Sequence, residues 1–237
     1  GRYDPVEKTI VWSSESTTDL ARIESGAQGI LPFRFSPKVG TVGDITLALS
    51  VAGTFPDRDF FQDTISNIDQ KVIRFASTLQ FAAQSLYSIG PIKNTGPYPP
   101  RANKETAYTI SWTIKPSSNP LSNVVATAKL PDGITYTGVV MPQAEQVRFD
   151  PDSRMVTWMI GNMPKQTNLN NFKTVSFQIS ARPSKSQVGS PIALLGQTII
   201  SGTDVVVNAP INSTRPALST RLDTDPAYST DAEKVLP

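Results

Sequence analysis

The chain has 237 residues, no cysteine and no histidine, and a formal net charge of only +2. Without cysteine it has no disulfide and no thiolate nucleophile or ligand, and without histidine it lacks the commonest general base and transition-metal ligand. The basic residues are spread along the chain, which disfavours nucleic acid as a partner. Proline (20) outnumbers glycine (14), a mix that suits the frequent turns between short strands and predicts an all-β fold. Because cysteine and histidine are both missing, we also predict that the protein is not an enzyme and holds no cofactor.

In the first part of the chain, alternation of apolar and polar residues predicts strands at residues 9–12, 29–35 and 45–51. Residues 72–88 are ambiguous, because their apolar positions fit both a helix and a strand. The length of this stretch favours a helix, but its all-β surroundings favour a strand. We predict a strand.

The stretch 91–100 is rich in proline and glycine, which disfavours a position inside a sheet. We predict that it is a linker between a first β-sandwich module at residues 1–90 and a second at residues 101–222. Residues 223–237 have little apolar content and are predicted to be a polar tail. The expected fold is therefore two tandem immunoglobulin-like β-sandwich domains.

Alternation is more regular in the second part. Strands are predicted at residues 108–114, 124–130, 147–149, 155–158 and 175–181, and a hairpin at residues 198–207. Residues 150–154 contain Asp-Pro and predict a hairpin turn, as does the Pro-Asp-Gly of residues 131–133. The hairpin at residues 198–207 is predicted to turn at residues 201–204.

Four large apolar residues are in phase with the inward face of their strands and are predicted to form the core: Ile110, Trp112, Trp158 and Phe177. The alternative for Trp112 and Trp158 is a sugar-stacking platform. Trp12 fits either role.

Acidic residues give two candidate kinds of site. Candidate oxygen ligands for calcium are Asp223 and Asp225, with Asp231, or alternatively Asp150 with Asp152, although neither set has the spacing of a known calcium loop. Two acid pairs are candidates for the carboxylates of a glycoside hydrolase: Asp57 with Asp59, and Glu145 with Asp150. Both pairs lie in predicted turns, which disfavours catalysis.

A Lys–Asn isopeptide cross-link is another alternative in a cysteine-free sandwich. Lys8 and Lys104 lie in or near first strands, and Asn208 follows a late strand. Such a bond needs an apolar pocket with an adjacent acid, and buried lysine is rare.

Three segments of the second part follow one another in a distinctive order. They are Tyr-Thr-Ile-Ser-Trp-Thr-Ile at residues 108–114, a stretch from Leu-Ser-Asn-Val-Val to Pro-Asp-Gly-Ile-Thr-Tyr at residues 121–136, and Val-Thr-Trp-Met-Ile-Gly-Asn-Met at residues 156–163. In this order and spacing, residues 104–211 resemble the bacterial surface repeat known as domain of unknown function eleven. The chain departs from that family at residues 115–120, where an Asn-x-Gly turn is usual. The resemblance implies an immunoglobulin-like or prealbumin-like sandwich, in large exported bacterial proteins, with no catalytic residues.

These observations predict a structural or spacer module of a bacterial cell-surface or cell-wall protein. The expected partners are neighbouring domains or copies of the same protein, with residues 1–8 and 224–237 as candidate donated strands. Targeting and anchoring segments are expected elsewhere in a longer chain, because the sequence starts at Gly1 without a signal peptide. The alternative is an adhesin-type module that binds a glycan or protein through loops at the end of a sandwich.

Overall fold

The computed structural model describes residues 1–36, 44–54, 64–115, 117–165 and 172–237. The chain divides into two compact units, residues 1–41 and residues 42–237. Within the described ranges, no helix combines the length and apolar character that a membrane crossing needs.

The first unit contains one small hairpin, in which β1 (Arg2–Asp4) pairs antiparallel with β2 (Thr9–Val11). A short 3-10 helix follows at Thr18–Leu20. The strand predicted at residues 29–35 is wrong, since this segment has no regular secondary structure and Ile30 is 90% exposed. An alternating sequence forms a strand only where a neighbouring strand accepts its backbone hydrogen bonds.

The second unit begins with a two-stranded ribbon of β3 (Ile45–Thr54) and β4 (Thr64–Ile73). The two strands pair antiparallel along their whole length, from Ile45 opposite Ile73 to Thr54 opposite Thr64. The strand predicted at residues 45–51 is confirmed.

The rest of this unit is a β-sandwich. Its strands are β5 (Gln80–Leu86), β6 (Thr106–Lys115), β7 (Leu121–Lys129), β8 (Ile134–Met141), β9 (Gln146–Asp150), β10 (Met155–Met163), β11 (Lys173–Ala181), β12 (Ala193–Leu195), β13 (Thr198–Asp204), β14 (Ala209–Arg215) and β15 (Leu218–Ser219). One sheet has the order β14-β13-β7-β10-β9 and the other β5-β6-β11-β8, while β12 and β15 form a separate pair. The predicted all-β class is confirmed.

The core lies between the two sheets. Ile110, Trp112, Trp158 and Phe177 are all fully buried, and the rings of Trp112 and Phe177 meet edge to face with centroids 4.9 Å apart. These side chains alternate with outward-facing residues along their strands, so a period of two supplies both sheets with an inner face.

The predicted domain boundary lies inside the sandwich. β5 was expected in the first module, but it pairs with β6, from Gln80 opposite Lys115 to Leu86 opposite Thr109. Residues 91–100 therefore connect two neighbouring strands of one sheet and are not a linker between modules. β5 also shows that a strand, not a helix, is correct within residues 72–88.

Residues 91–100 form a loop that packs on the outer face of β6. The Thr109 hydroxyl donates to Asn94 Oδ1 at 3.1 Å, and the Asn94 amide donates to the Tyr87 carbonyl at 3.0 Å. The described residues contain one sandwich, from about residue 77 onward, and before it two hairpins and a short 3-10 helix. A second sandwich module stays a prediction.

Two of the three predicted turns are confirmed. β9 and β10 meet around Asp150, and the Ile134 N–H donates to the Pro131 carbonyl at 3.2 Å across the Pro-Asp-Gly turn. The turn predicted at residues 201–204 is wrong, since β13 continues to Asp204 and the chain turns at residues 205–208.

Gly202 led to the wrong turn prediction because glycine is common in turns. In this strand it instead allows close packing between neighbouring strands. A Cβ at this position would lie 3.0 Å from Val124 Cγ2 and 3.3 Å from the Ser122 carbonyl oxygen of β7. Asn208 supplies the positive φ of the actual turn, at 51°.

The predicted polar tail is also wrong. Within residues 223–237, Asp225, Ala232 and Val235 are buried, and Val235 belongs to the hydrophobic core of the sandwich. Two buried apolar side chains among fifteen residues are too sparse to give a periodic signal in the sequence. Residues 224–237 are thus already packed on their own chain.

Candidate functional site

A buried carboxylate holds the chain where it enters the sandwich. Asp204 ends β13 and is 0% exposed. Its Oδ2 accepts the Ser77 N–H at 2.7 Å and the Asn119 side-chain amide at 2.9 Å. The same Asn119 amide donates to the Phe75 carbonyl at 2.7 Å, and the Asn119 N–H donates to Ser77 Oγ at 2.8 Å. We call Ser77, Asn119 and Asp204 the entry clamp.

The charge of Asp204 is matched by donors and not by a cation. Burial raises the pKa of Asp204, but hydrogen bonds from Ser77, Asn119, Val207 and Val206 lower it by more. The net pKa lies below the ordinary value, so the carboxylate is ionised at neutral pH. Bonds to an ionised acceptor are stronger than neutral ones.

A second buried carboxylate holds the segment that follows the last strand. Asp225 is 4% exposed, and its Oδ2 accepts the Tyr87 N–H at 2.6 Å and the Ser88 N–H at 2.8 Å. Its Oδ1 accepts the Ser88 hydroxyl and the Ala227 N–H. Burial raises the pKa of Asp225, and these donors lower it to a net value below the ordinary one. We call Tyr87, Ser88 and Asp225 the exit clamp.

Backbone bonds extend the exit clamp to the last residues. The Leu236 N–H donates to the Pro100 carbonyl, and the Leu236 carbonyl accepts the Ala102 N–H, both at 2.8 Å. The Val235 N–H donates to the Ser190 carbonyl at 3.1 Å. The final segment is therefore joined to two loops that are far apart in sequence.

The two clamps lie at opposite ends of β5. Ser77 precedes β5, and Asn119 lies just beyond the end of β6 that pairs with the start of β5, whereas Tyr87 and Ser88 follow the last residue of β5. Tension applied through the two clamps would thus act along the strands. Because ladder hydrogen bonds run across the strands, such tension loads many of them at once.

In the structure the calcium candidates Asp223 and Asp225 bond to different protein groups. Both oxygens of Asp225 are occupied by protein donors, while Asp223 is exposed and pairs with Arg221 at 3.0 Å. Among the described residues there is no group of three or more acidic residues arranged to hold a metal ion.

The acid pairs lie in different settings. Glu145 accepts the Trp158 indole N–H at 2.8 Å and lies 3.4 Å from Lys173 Nζ, beside an open cavity of about 450 Å³. Asp150 is exposed and accepts the Asp152 N–H within its turn. Asp57 and Asp59 lie outside the described residues.

The isopeptide candidates Lys8, Lys104 and Asn208 are all exposed. None of the three therefore lies in the apolar pocket that the reaction needs. Trp12 is half-buried in the first unit, where its ring meets Phe33 edge to face at 6.1 Å.

Sequence reasoning missed the role of Asp204 and Asn119 and the hydrogen bonds of Asp225, whose calcium role stays a prediction. Asp204 and Asp225 each accept the N–H two residues ahead, from Val206 and Ala227. Such Asx turns are a readable signal for an aspartate that begins a turn. The long-range partners are 85 or more residues away in sequence and leave no local signal.

Comparisons with known proteins give only distant likenesses. No protein-family model and no curated protein sequence matches the chain. The resemblance to domain of unknown function eleven therefore stays a prediction.

Among solved structures, the chain is similar to the major pilin subunit BcpA of Bacillus cereus, with 11% identity, a TM-score of 0.37 and coverage of 65% of this chain and 49% of that one. It is similar to the full-length major pilin SpaD of Corynebacterium diphtheriae, with 8% identity, a TM-score of 0.37 and coverage of 82% and 64%. The Fcho1 Mu homology domain of Danio rerio matches with 12% identity, a TM-score of 0.32 and coverage of 73% of each chain. The chain spans less than two thirds of either pilin.

Proposed function

We propose that this chain is a non-catalytic structural spacer module of a bacterial cell-surface protein, built to carry tension along its strands. The observation that supports the proposal best is the pair of buried clamps at opposite ends of β5. Asp204 holds the entering segment through Oδ2, which accepts the Ser77 N–H, and Asp225 holds the leaving segment through both carboxylate oxygens, which accept from Tyr87 and Ser88. The bacterial cell-surface location is part of the proposal because residues 104–211 resemble a bacterial surface repeat.

The sandwich core also suits a spacer. Trp112, Trp158 and Phe177 fill the space between the sheets. A close-packed interior has low compressibility and transmits strain instead of yielding to it. Edge strands β5 and β14 are joined by Arg215, whose guanidinium donates to the Phe81 carbonyl at 2.5 Å.

Single-molecule pulling through handles fused to both ends tests the proposal. We expect one major unfolding event for residues 77–237, with a gain in length of about 500 Å at full extension. In Asp225→Asn, release of the final segment should come first, as a separate step of about 50 Å. Asp150→Asn is the matched control, because Asp150 is exposed and bonds only within its own turn. A wild-type sandwich that unfolds at no higher force than Asp204→Asn and Asp225→Asn would contradict the proposal.

A second candidate function is binding of a glycan or protein, and exposed aromatic side chains of the first unit favour it. Phe33 is half exposed and lies between Trp12 and Phe35, with ring centroids 6.1 and 6.2 Å away. Flat aromatic faces suit pyranose rings. Loss of glycan retention in Phe33→Ala, together with wild-type pulling behaviour in that variant, would favour glycan binding over the spacer function.

A further inference from the structure

The ribbon of β3 and β4 has open edges. Neither outer edge has a strand partner in the part of the chain that the structure describes. A two-stranded ribbon is marginally stable alone in water, and an exposed edge offers a row of unpaired backbone groups to another strand. On β4, Asp69, Gln70 and Lys71 are exposed, and Ile68 is 68% exposed.

The sequence of β4 is complementary to itself about Gln70. If two copies of β4 run antiparallel with Gln70 opposite Gln70, then Asp69 of each copy faces Lys71 of the other. Ile68 likewise faces Val72 on the opposite surface of the sheet. Neighbouring residues of a strand point to opposite faces, so the two ion pairs share one face and the two apolar pairs share the other.

Opposite charges and β-branched residues placed directly across an antiparallel pair are both stabilising, and like charges are destabilising. The alignment about Gln70 therefore satisfies the charges on one face and the apolar side chains on the other. Shifting it by one residue would place Asp69 opposite Gln70 and lose both ion pairs. The charges thus fix a register as well as a partner.

The backbone at Gln70 has the state expected of an open edge. The Gln70 N–H donates to Oδ1 of its own neighbour Asp69 at 2.8 Å. An edge N–H without a strand partner is satisfied in this way by a local side chain. Pairing would replace this bond by one to the carbonyl of the other copy and free the Asp69 carboxylate for Lys71.

We propose that the outer edge of β4 pairs with the same edge of a second copy of this chain, giving a four-stranded sheet of order β3-β4-β4-β3. The outer edge of β3 is the less suited one, because β3 carries no charged residue that would fix a register. The contact goes beyond the spacer function and does not depend on the clamps.

Charge exchange gives the main test. Asp69→Lys alone and Lys71→Asp alone each replace two attractions by two repulsions across the axis, which should weaken dimerisation about tenfold or more. The double variant D69K/K71D restores both ion pairs and should dimerise like the wild type. Sedimentation velocity over a concentration series measures each dissociation constant.

A cysteine variant tests the position of the axis. The chain has no cysteine of its own, so a single introduced thiol forms disulfides only between copies. Residues directly opposite on antiparallel strands have Cα atoms about 4.5–5.5 Å apart, which suits a disulfide. Under mild oxidation Gln70→Cys should give a covalent dimer, whereas Ala48→Cys, at the position of β3 opposite Gln70, should not.

Three results would overturn the proposal. They are a wild-type chain that stays monomeric at the highest concentration it tolerates, a double charge variant no better than the single ones, and equal cross-linking of Gln70→Cys and Ala48→Cys. Near-ultraviolet circular dichroism from the buried Trp112 and Trp158 shows that each variant keeps its sandwich. These changes lie outside both clamps, so loss of the dimer leaves the pulling result unaffected, and the two proposals can fail separately.

Discussion

Replacing Asp225 by asparagine keeps the size of the side chain but removes its charge and one acceptor oxygen. In the wild type, four donors converge on this carboxylate: the N–H groups of Tyr87, Ser88 and Ala227 and the hydroxyl of Ser88. The asparagine oxygen would serve Tyr87 and Ser88, and its NH₂ group would then point at the Ala227 N–H. The partly buried Ala227 N–H is then left without an acceptor.

The loss of stability in Asp225→Asn follows from the strength of these hydrogen bonds. Hydrogen bonds to a charged group contribute about 1.5–3 kcal/mol, and an unsatisfied buried donor costs about 1–3 kcal/mol. Because the remaining oxygen keeps part of the network, we expect Asp225→Asn to lower the free energy of unfolding by about 2–3 kcal/mol. For a domain of this size that is a fall of about 4–12 °C in Tm.

Thermal and urea unfolding, followed by the fluorescence of the buried tryptophans, measure the change. The matched control is Asp223→Asn, since Asp223 is exposed in the same segment and bonds only to Arg221. Limited proteolysis should cut the variant first after residue 222, where the final segment is released. Equal unfolding midpoints for Asp225→Asn and Asp223→Asn would refute the role of the exit clamp.

Two further predictions follow from the same sandwich. The folded-state pKa values of Asp204 and Asp225 lie below the ordinary 3.8. The stabilisation from these two carboxylates is therefore present above pH 3.8 and is lost as the pH falls through the lower folded-state values. Urea midpoints should fall less steeply in acid for the Asn variants than for the wild type. Gly96→Ala should cost at least about 3 kcal/mol, because φ is +97° and a Cβ would lie 2.2 Å from the Glu105 carbonyl oxygen. In Gly138→Ala, with φ +84° and no atom within 4 Å, the cost should be about 1–2 kcal/mol, and equal losses would show that no steric contact acts at Gly96.

The sequence predicts the central strands well, because each carries a local signal. β6 and β11 alternate without interruption, and their inward residues Trp112 and Phe177 lie in the core. The turns at residues 150–154 and 131–133 are predictable for the same reason, because their proline and glycine residues are a local signal. In such segments the periodicity of two alone separates the buried face from the exposed one.

Long-range pairing accounts for the errors. Nothing near β5 shows that it adds to the sheet of β6, because the proline-rich segment between them has the composition of a linker. Gly202 reads as a turn residue, although it permits close approach of β7 and β13. For the same reason the candidate site was not predicted, since Ser77 and Asp204 meet across 127 residues of chain.

The position of the exit clamp has a consequence for biosynthesis. A chain is made from its amino end, so Asp225 and Val235 leave the ribosome after every strand of the sandwich has emerged. Until then the Tyr87 and Ser88 N–H groups lack their acceptor, and the apolar surface that Leu222 and Val235 cover stays open to solvent. We expect a nascent chain that stops before residue 222 to be protease-sensitive, and the last sixteen residues to complete folding.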